Sequence, residues 1–246
     1  MDANDSAAAT GHEQIQSQLE QLCQQFKEAI GDELISVVLY GEAVRDQQVA
    51  HADINLLIVL RQVTLDLLDQ LAIPLQVSSR QVRLSTMVLS RENLLRSTDV
   101  FPIKFLDMQH HHRLLCGEDV LADLKISRDH LRLRCEQELK NLMIRLRQLY
   151  LRRHAYGEQI EQTLTRVIES FMLALGTLVE LKQSVAAPRG EAMLDAATEL
   201  GLDMEPVRTI LGLRDGNVQA DSASLKQLYA SFMQVVQRAA ELADSL

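Results

Sequence analysis

The sequence predicts an α+β protein in which a small mixed sheet is followed by a bundle of α-helices. Short runs of β-branched and apolar residues, typical of buried strands, occur only before about residue 125. Beyond that point the apolar residues recur at spacings of three and four, which indicates helices. The chain has 246 residues and 47% hydrophobic content, so it can bury two ordinary cores.

This change of pattern divides the chain into three segments. Residues 1–11 are small and polar without periodicity, and we expect them to form a disordered tail. Residues 12–125 contain all the strand patterns and should form the α/β domain. Residues 126–246 should form the helical bundle.

The α/β segment begins with one helix and two strands. Residues 12–30 should form a helix that ends at Gly31, because five apolar residues share one face. They are Ile15, Leu19, Leu22, Phe26 and Ala29. The next two apolar runs, Leu34–Tyr40 and Ile54–Leu60, are nearly continuous and predict strands buried on both faces.

The remainder of this segment alternates between helix and strand patterns. Residues 64–71 have helical spacing, and residues 82–89 alternate well enough to form a third strand. Ser90 is placed to cap a short helix, with Asn93 at the third helical position. The pattern of residues 101–116 suits an edge strand and a helix about equally.

Two long helices should dominate the second half. The first covers residues 127–154 and the second covers residues 158–182. The second helix has a seam whose residues follow alternating steps of four and three, as expected in a helical bundle. The seam consists of Ile160, Leu164, Val167, Phe171, Leu175, Leu178 and Lys182.

A connection and three further helices complete the bundle. Residues 184–190 contain a proline and a glycine and should form a connection, followed by a short helix over residues 193–200. Asp203 can cap the next helix, which has Pro206 in its first turn. The final helix should cover residues 222–242, with its apolar residues on one side.

Charge and cysteine content exclude several classes of protein. The formal net charge of -9 and pI near 5.3 disfavour generic binding to nucleic acid or to an anionic membrane. Cys23, Cys116 and Cys135 are widely spaced and odd in number, which fits neither a disulfide framework nor a zinc site. No apolar run approaches a membrane span, and residues 1–11 lack the pattern of a signal peptide. We therefore expect a cytoplasmic protein.

The residues that suggest chemistry lie at the junction of the first two strands. Gly41 follows the first strand, and Asp53 and Asn55 open the second at positions i and i+2. Alternate side chains of a strand share a face, so Asp53 and Asn55 should project together beside the Gly41 turn. This arrangement suits a metal ion held against a phosphate.

The pattern resembles the nucleotidyltransferase superfamily that includes DNA polymerase beta and kanamycin nucleotidyltransferase. Its members have a strand, a Gly-Ser turn, a short helix often carrying Arg, and a strand beginning Asp-x-Asp. The turn holds the nucleoside triphosphate, the two aspartates bind magnesium, and a third carboxylate on a later strand helps to activate the attacking hydroxyl. Gly117-Glu118-Asp119 also resembles the ending found in relatives just before their helical part.

This resemblance implies a nucleotide site formed by Gly41, Glu42 and Arg45, with Asp53 as a ligand of Mg²⁺ and Asp53 and Asn55 as a degenerate catalytic pair. Glu42 replaces the family serine, and Asn55 replaces the second aspartate. Magnesium is held through carboxylates and substrate phosphates, so these residues make a thin site. Glu42 would also repel a triphosphate, by about 4 kcal/mol per charge pair at about 4 Å.

The strand expected to supply the third carboxylate offers Ser85 and Thr86 instead. The first hypothesis is therefore a nucleotide- or metal-binding protein with weak or lost transfer of a nucleotidyl group. The second is a non-catalytic interaction module that dimerises through its helical half. The third is an active transferase in which Glu42 or Asp107 substitutes as a metal ligand. An ordinary pair of buried strands that happens to begin with Asp is the alternative to all three.

Two further groups of residues have patterns that suggest contacts. Arg134, Arg145 and Arg152 fall on one side of the first long helix, where they could contact a phosphate or an acceptor, or form a solvated flank. On the same helix, a second apolar stripe predicts either a central position in the bundle or a dimer contact; it consists of Leu133, Ile144 and Leu151. Three consecutive histidines at 110–112 predict a polar surface turn rather than a metal site.

Overall fold

A computed structural model of the protein describes residues 3–45, 54–79, 83–153 and 157–246. The chain divides into two compact units, Met1–Ile126 and Ser127–Leu246, each of which has a buried apolar core. Within the described ranges, no helix is both long enough and apolar enough to cross a membrane.

The first unit contains a sheet with mixed strand directions. The described residues of this unit contribute four strands, β1 (Leu34–Tyr40), β2 (Ile54–Leu60), β3 (Leu84–Ser90) and β4 (His112–Gly117). Their order across the sheet is β3-β2-β1-β4. Strand β1 is antiparallel to β2 and to β4, whereas β2 and β3 are parallel. The two central strands are therefore the apolar runs that the sequence predicted to be buried on both faces.

Helices cover both faces of this sheet. The described helices of the unit, in chain order, are α1 (Ala3–Ile30), α2 (Glu42–Arg45), α3 (Leu65–Ser78), α4 (Arg91–Arg96) and α5 (Pro102–His110). On one face, α1 and α3 pack against side chains such as Leu39 and Leu56, and Phe26 of α1 is fully buried there. On the other face, α4 and α5 cover Val38 and Leu57.

Alternation along the strands assigns each residue to one of these two cores. Leu56 and Ile58 point to the face covered by α1 and α3, and Leu57 and Val59 point to the face covered by α4 and α5. Asn55 alternates with Leu56, so it belongs to the α4 and α5 face. Asn55 lies near the start of β2, beside the end of β1, and the sequence predicted the candidate site at this end of the two strands.

The chain that leaves β4 is fastened to the start of β1. Gly117 has φ +87°, and a Cβ atom built on it would lie 2.1 Å from the carbonyl oxygen of Ile35. The next residue, Glu118, donates its backbone N–H to that same oxygen at 3.0 Å. The buried hydroxyl of Ser36 donates to the carbonyl oxygen of Glu118 at 2.6 Å. This close approach explains why glycine precedes Glu118.

Several helix boundaries differ from the sequence predictions. Helix α1 begins at Ala3, so residues 3–11 are helical rather than part of a disordered tail; the Ala7-Ala8-Ala9 run has high helix propensity. Met1 and Asp2 lie outside the described residues. Helix α3, predicted over residues 64–71, is capped by Thr64 and continues past Leu71 through Pro74 to Ser78.

Residues 101–116, whose pattern suited a helix and an edge strand about equally, contain one of each. They form helix α5, with Pro102 in its first turn, and then strand β4. Ser90 caps α4 by accepting a hydrogen bond from the backbone N–H of Asn93 at 3.1 Å, as predicted. Strand β3 begins at Leu84. The sequence predicted that it begins at Val82, which lies outside the described residues.

The second unit is a helical bundle. In chain order its described helices are α6 (Arg128–Arg153), α7 (Gly157–Gln183), α8 (Glu191–Glu199), α9 (Glu205–Arg214) and α10 (Ser222–Asp244). Helices α6, α7 and α10 pack on one another, and the apolar seam residues of α7 from Ile160 to Leu178 are buried. The rings of Phe171 and Phe232 meet edge to face, with centroids 5.2 Å apart.

One helix cap in this unit differs from the prediction. The cap of α9 is Met204, which makes no side-chain capping bond, and not Asp203. The carboxylate of Asp203 instead accepts the backbone N–H of Glu205 at 3.2 Å, so it still satisfies one free donor of the first turn. Asp221 caps α10 by accepting the N–H of Ser224 at 2.8 Å.

The second apolar stripe of α6 is exposed. Leu133, Ile144 and Leu151 retain 59%, 49% and 76% of their accessible surface. The stripe therefore does not place α6 at the centre of the bundle of this chain, which was one of its two interpretations. The other interpretation, a dimer contact, stays a prediction.

Candidate functional site

The candidate site begins at the turn that ends β1. Gly41 has φ +83°, a conformation that glycine adopts without strain, and its carbonyl oxygen accepts the N–H of Val44 at 3.0 Å as α2 begins. A Cβ atom at Gly41 would lie 3.1 Å from Nδ2 of Asn55. The Gly41 backbone and the Asn55 amide are therefore neighbours, as the motif predicted.

Strand pairing extends this neighbourhood into a row across the sheet. Asn55 pairs with Tyr40 of β1 and with Ser85 of β3, and Tyr40 pairs with His112 of β4. Paired residues of adjacent strands project to the same face, so the four side chains form one polar row from edge to edge. We call Ser85, Asn55, Tyr40 and His112 the polar row.

This register separates the two residues that could replace the third carboxylate. Ser85 pairs with Asn55 and belongs to the polar row. Thr86 pairs with Leu56, which lies in the core under α1 and α3, so Thr86 is on the opposite face. Ser85 therefore occupies the position beside Asn55, and Thr86 is excluded from it.

Three predicted site residues are only partly covered by the structure. Asp53 lies outside the described residues, so its predicted role as a metal ligand stays a prediction. The backbones of Glu42 and Arg45 form the two ends of helix α2, directly after the Gly41 turn. Their side chains are not among those described, and their nucleotide-binding roles also stay predictions.

Lys104, which no sequence pattern singled out, lies over the polar row. Its Nζ atom is 5.6 Å from the centre of the Tyr40 ring, a cation–π geometry. Burial lowers the pKa of Lys104 and raises the pKa of Tyr40. Among the ion pairs of the described residues, none joins Lys104 to a carboxylate. Lys104 is thus a partly desolvated cation near the candidate site.

His112 of the polar row and its neighbour His111 each belong to a His–Asp pair. His111 Nδ1 lies 3.0 Å from Oδ1 of Asp107, and both side chains are mostly buried. His112 Nε2 lies 3.2 Å from Asp119, and its Nδ1 lies 3.2 Å from the carbonyl oxygen of Gln109. The three histidines thus span the bend between α5 and β4, as the predicted turn requires, with His110 exposed and His111 and His112 half-buried.

Asp119 connects this bend to the chain that follows β4. Its Oδ1 atom accepts the backbone N–H groups of Leu121 and Ala122, each at 3.2 Å. Burial raises the pKa of Asp119, but the hydrogen bonds from His112 and from these two N–H groups outweigh that effect and lower it overall. Each residue of Gly117-Glu118-Asp119 thus has a structural role. Gly117 and Glu118 contact the start of β1, and Asp119 binds His112 and the backbone that follows.

The donor atoms around Asn55 do not fit a two-metal centre. An amide oxygen and a hydroxyl are neutral, whereas two divalent ions need several anionic oxygens. Within residues 3–45, 54–79, 83–153 and 157–246, no three His, Cys, Asp or Glu side chains gather closely enough to hold a metal ion. Asp107, predicted as a substitute ligand, is paired with His111. The described side chains beside Asn55 therefore cannot by themselves offset the charge of two divalent ions.

The three arginines predicted to contact an acceptor lie on α6 in the helical unit. Arg134 forms an ion pair with Glu138 at 2.6 Å, one turn further along the same helix. Arg145 and Arg152 are exposed. The ion pair makes Arg134 part of a solvated helix flank, and a contact of any of the three with an acceptor stays a prediction.

Comparison with known proteins gives a match in structure alone. No protein-family model matches the chain, and no curated protein matches it. The fold is similar to the crystal structure of spectinomycin adenyltransferase AAD(9) from Enterococcus faecialis with ATP and spectinomycin, with a TM-score of 0.56. The match covers 91% of this chain and 98% of that chain, at 10% sequence identity. The chain thus has a nucleotidyltransferase-like α+β fold, and that prediction from the sequence is confirmed.

Proposed function

We propose that this protein binds a nucleoside triphosphate at the Gly41 turn and that its transfer of a nucleotidyl group is weak or lost. The observation that carries this proposal is the register of the sheet. It places the neutral side chains of Asn55 and Ser85 next to each other, beside the Gly41 backbone. The structural neighbour contains ATP, which supports a nucleotide as the ligand.

The loss of catalysis follows from the charge of these side chains. In the superfamily that the sequence resembles, the second aspartate and a carboxylate on a later strand help to hold magnesium and to activate the attacking hydroxyl. Here Asn55 and Ser85 stand at the corresponding places, and neither can accept a proton or offset the charge of a metal ion. Asp53 is then the one carboxylate of the motif that could share a Mg²⁺ ion with a bound triphosphate.

Phosphate binding requires less than catalysis. A glycine turn lets backbone groups approach a phosphate closely, and a nearby cation offsets its charge. Lys104 can provide that cation, because it is partly desolvated and has the ring of Tyr40, not a carboxylate, beside its Nζ atom. A triphosphate bound at the turn would bring negative charge to this cation.

Thermal melting of the full chain with nucleotides tests this proposal. A ligand present at about 100 times its dissociation constant stabilises the folded state by about 2.7 kcal/mol. We expect at least one of the four common nucleoside triphosphates, with Mg²⁺, to raise the melting temperature, and the corresponding nucleoside to have no effect. If no triphosphate stabilises the protein, the proposal is wrong and the interaction module with the exposed α6 stripe becomes the better hypothesis.

Replacement of Lys104 with alanine should weaken triphosphate binding by about tenfold or more, because it removes a charge-assisted contact. The fold should tolerate this change, since no ion pair is broken. Isothermal titration with the stabilising triphosphate measures the affinity. Lys104→Arg should retain most of it, and Lys125→Ala, which removes an exposed lysine of the same unit, should not change it. Equal weakening by the Lys104 and Lys125 variants would exclude a local contact.

A further inference from the structure

Two cysteines that are distant in sequence meet where α1 crosses the edge strand β4. Cys23 of α1 is buried with 4% exposure, and Cys116 of β4 is half-buried and packs against the same core. Helix α1 packs on β4, and the two thiols lie close enough for a hydrogen bond between them to shift both pKa values. Neither cysteine is in a disulfide. The wide spacing of the cysteines along the chain does not reveal this contact.

The two thiols differ in reactivity. The hydrogen bond from Cys23 lowers the pKa of the Cys116 thiol to about 7, against the opposing effect of burial, and Lys27 also favours the thiolate. The same hydrogen bond and burial raise the pKa of Cys23. These opposite shifts favour the thiolate, which is the nucleophilic form, at Cys116 rather than at Cys23.

Accessibility points to the same residue. Cys116 lies on β4, which is an edge strand of the sheet, and it keeps part of its surface exposed. Cys23 is buried in the core against which Cys116 packs. The more exposed cysteine is therefore the candidate attacking thiol, and the buried cysteine is the candidate resolving thiol.

We propose that Cys23 and Cys116 form a reversible thiol–disulfide exchange site that reacts with small-molecule disulfides and links α1 to β4. In the first step the Cys116 thiolate attacks one sulfur of the small disulfide, forms a mixed disulfide and releases one thiolate. In the second step the Cys23 sulfur attacks Cys116 Sγ, forms the internal disulfide and releases the second thiol. The Cys23 proton passes to a leaving thiolate, and the small disulfide is reduced to two thiols.

Cys135 provides an internal reference within the same chain. It is fully buried in the helical unit, where its thiol donates to the carbonyl oxygen of Ala174 at 3.4 Å. Burial raises the pKa of Cys135 to about 12. It should therefore stay reduced under conditions in which the pair reacts.

The experiment treats the folded, reduced full chain with oxidised glutathione at pH 7.5, followed by thiol labelling and peptide mass spectrometry. We expect loss of two of the three free thiols, a Cys23–Cys116 cross-linked peptide, and full recovery of both thiols with a reductant. The oxidised protein should also melt at a higher temperature, because the new bond closes a long loop. Persistence of all three thiols, or of glutathione on Cys116 without the cross-link, would overturn the proposal.

Single-cysteine variants separate the two steps. Cys116→Ser should abolish the reaction, whereas Cys23→Ala should trap a mixed disulfide between Cys116 and glutathione. Cys135→Ser is the matched control and should form the cross-link as the wild-type protein does. Circular dichroism checks that each variant is folded, and the wild-type peptide map decides the matter if the buried Cys23 cannot be replaced. A cross-link that involves Cys135 would contradict the assignment.

Discussion

Gly117→Ala is expected to lower the free energy of unfolding of the α/β unit by about 3 kcal/mol. The new methyl group would lie 2.1 Å from the carbonyl oxygen of Ile35, so the backbone of β4 or β1 must move. Residues other than glycine also pay about 1–2 kcal/mol for a left-handed backbone conformation such as φ +87°. Overpacking against a rigid neighbour adds about 1–3 kcal/mol. Urea denaturation followed by circular dichroism measures the loss.

A second glycine in the same unit separates these two contributions. Gly31 also has a positive φ, +53°, but a Cβ atom there would meet nothing within 4 Å. Gly31→Ala should therefore cost only the conformational part, about 1–2 kcal/mol. If Gly117→Ala were no more destabilising than Gly31→Ala, the close packing of β4 against the start of β1 would be wrong.

The double variant Asn55→Asp and Ser85→Asp is expected to make triphosphate binding strongly dependent on magnesium. Without the metal ion, each new carboxylate would repel the phosphates, by about 4 kcal/mol for a pair at about 4 Å. With Mg²⁺, the same carboxylates become ligands, and affinity should rise at least about tenfold above that of the wild type. Titration calorimetry with the stabilising triphosphate, with Mg²⁺ and with a chelator, gives both affinities.

The control for this variant uses the opposite face of β3. Asn55→Asp combined with Thr86→Asp introduces the same net charge, and Thr86 is exposed, so the unit should stay folded. Thr86 pairs with Leu56 and lies on the other face of the sheet, so the second carboxylate cannot reach the site. Similar magnesium dependence in both double variants would contradict the placement of the site on the polar row.

The sequence predicted the central strands and most helices because those elements carry complete patterns. Leu34–Tyr40 and Ile54–Leu60 have the bounds that their apolar runs indicated, and the seam of α7 is buried where its spacing placed it. Residues 101–116 were ambiguous because a short amphipathic helix followed by a short edge strand gives a mixed pattern. Only the tertiary packing of Phe105 and Met108 decides that the first part is helical.

The candidate site was predicted in part. The neighbourhood of Gly41 and Asn55 follows from local geometry, since Gly41 comes directly after β1 and Asn55 lies near the start of β2. The choice of Ser85 over Thr86 required the register of a parallel strand pair, which the sequence of one strand does not contain. Lys104 was missed because it comes near Tyr40 only through the packing of α5 on the sheet.

The attachment of β4 to the start of β1 has a consequence for synthesis of the protein on the ribosome. Strand β1 is made early, yet the Glu118 backbone that hydrogen-bonds with its Ser36 hydroxyl and Ile35 carbonyl is made much later. A nascent chain that ends before Glu118 would bury these groups without hydrogen bonds, at about 1–3 kcal/mol for each unsatisfied group. The complete sheet should therefore form late, after nearly the whole α/β unit has left the exit tunnel, because β4 is the last strand to be synthesised.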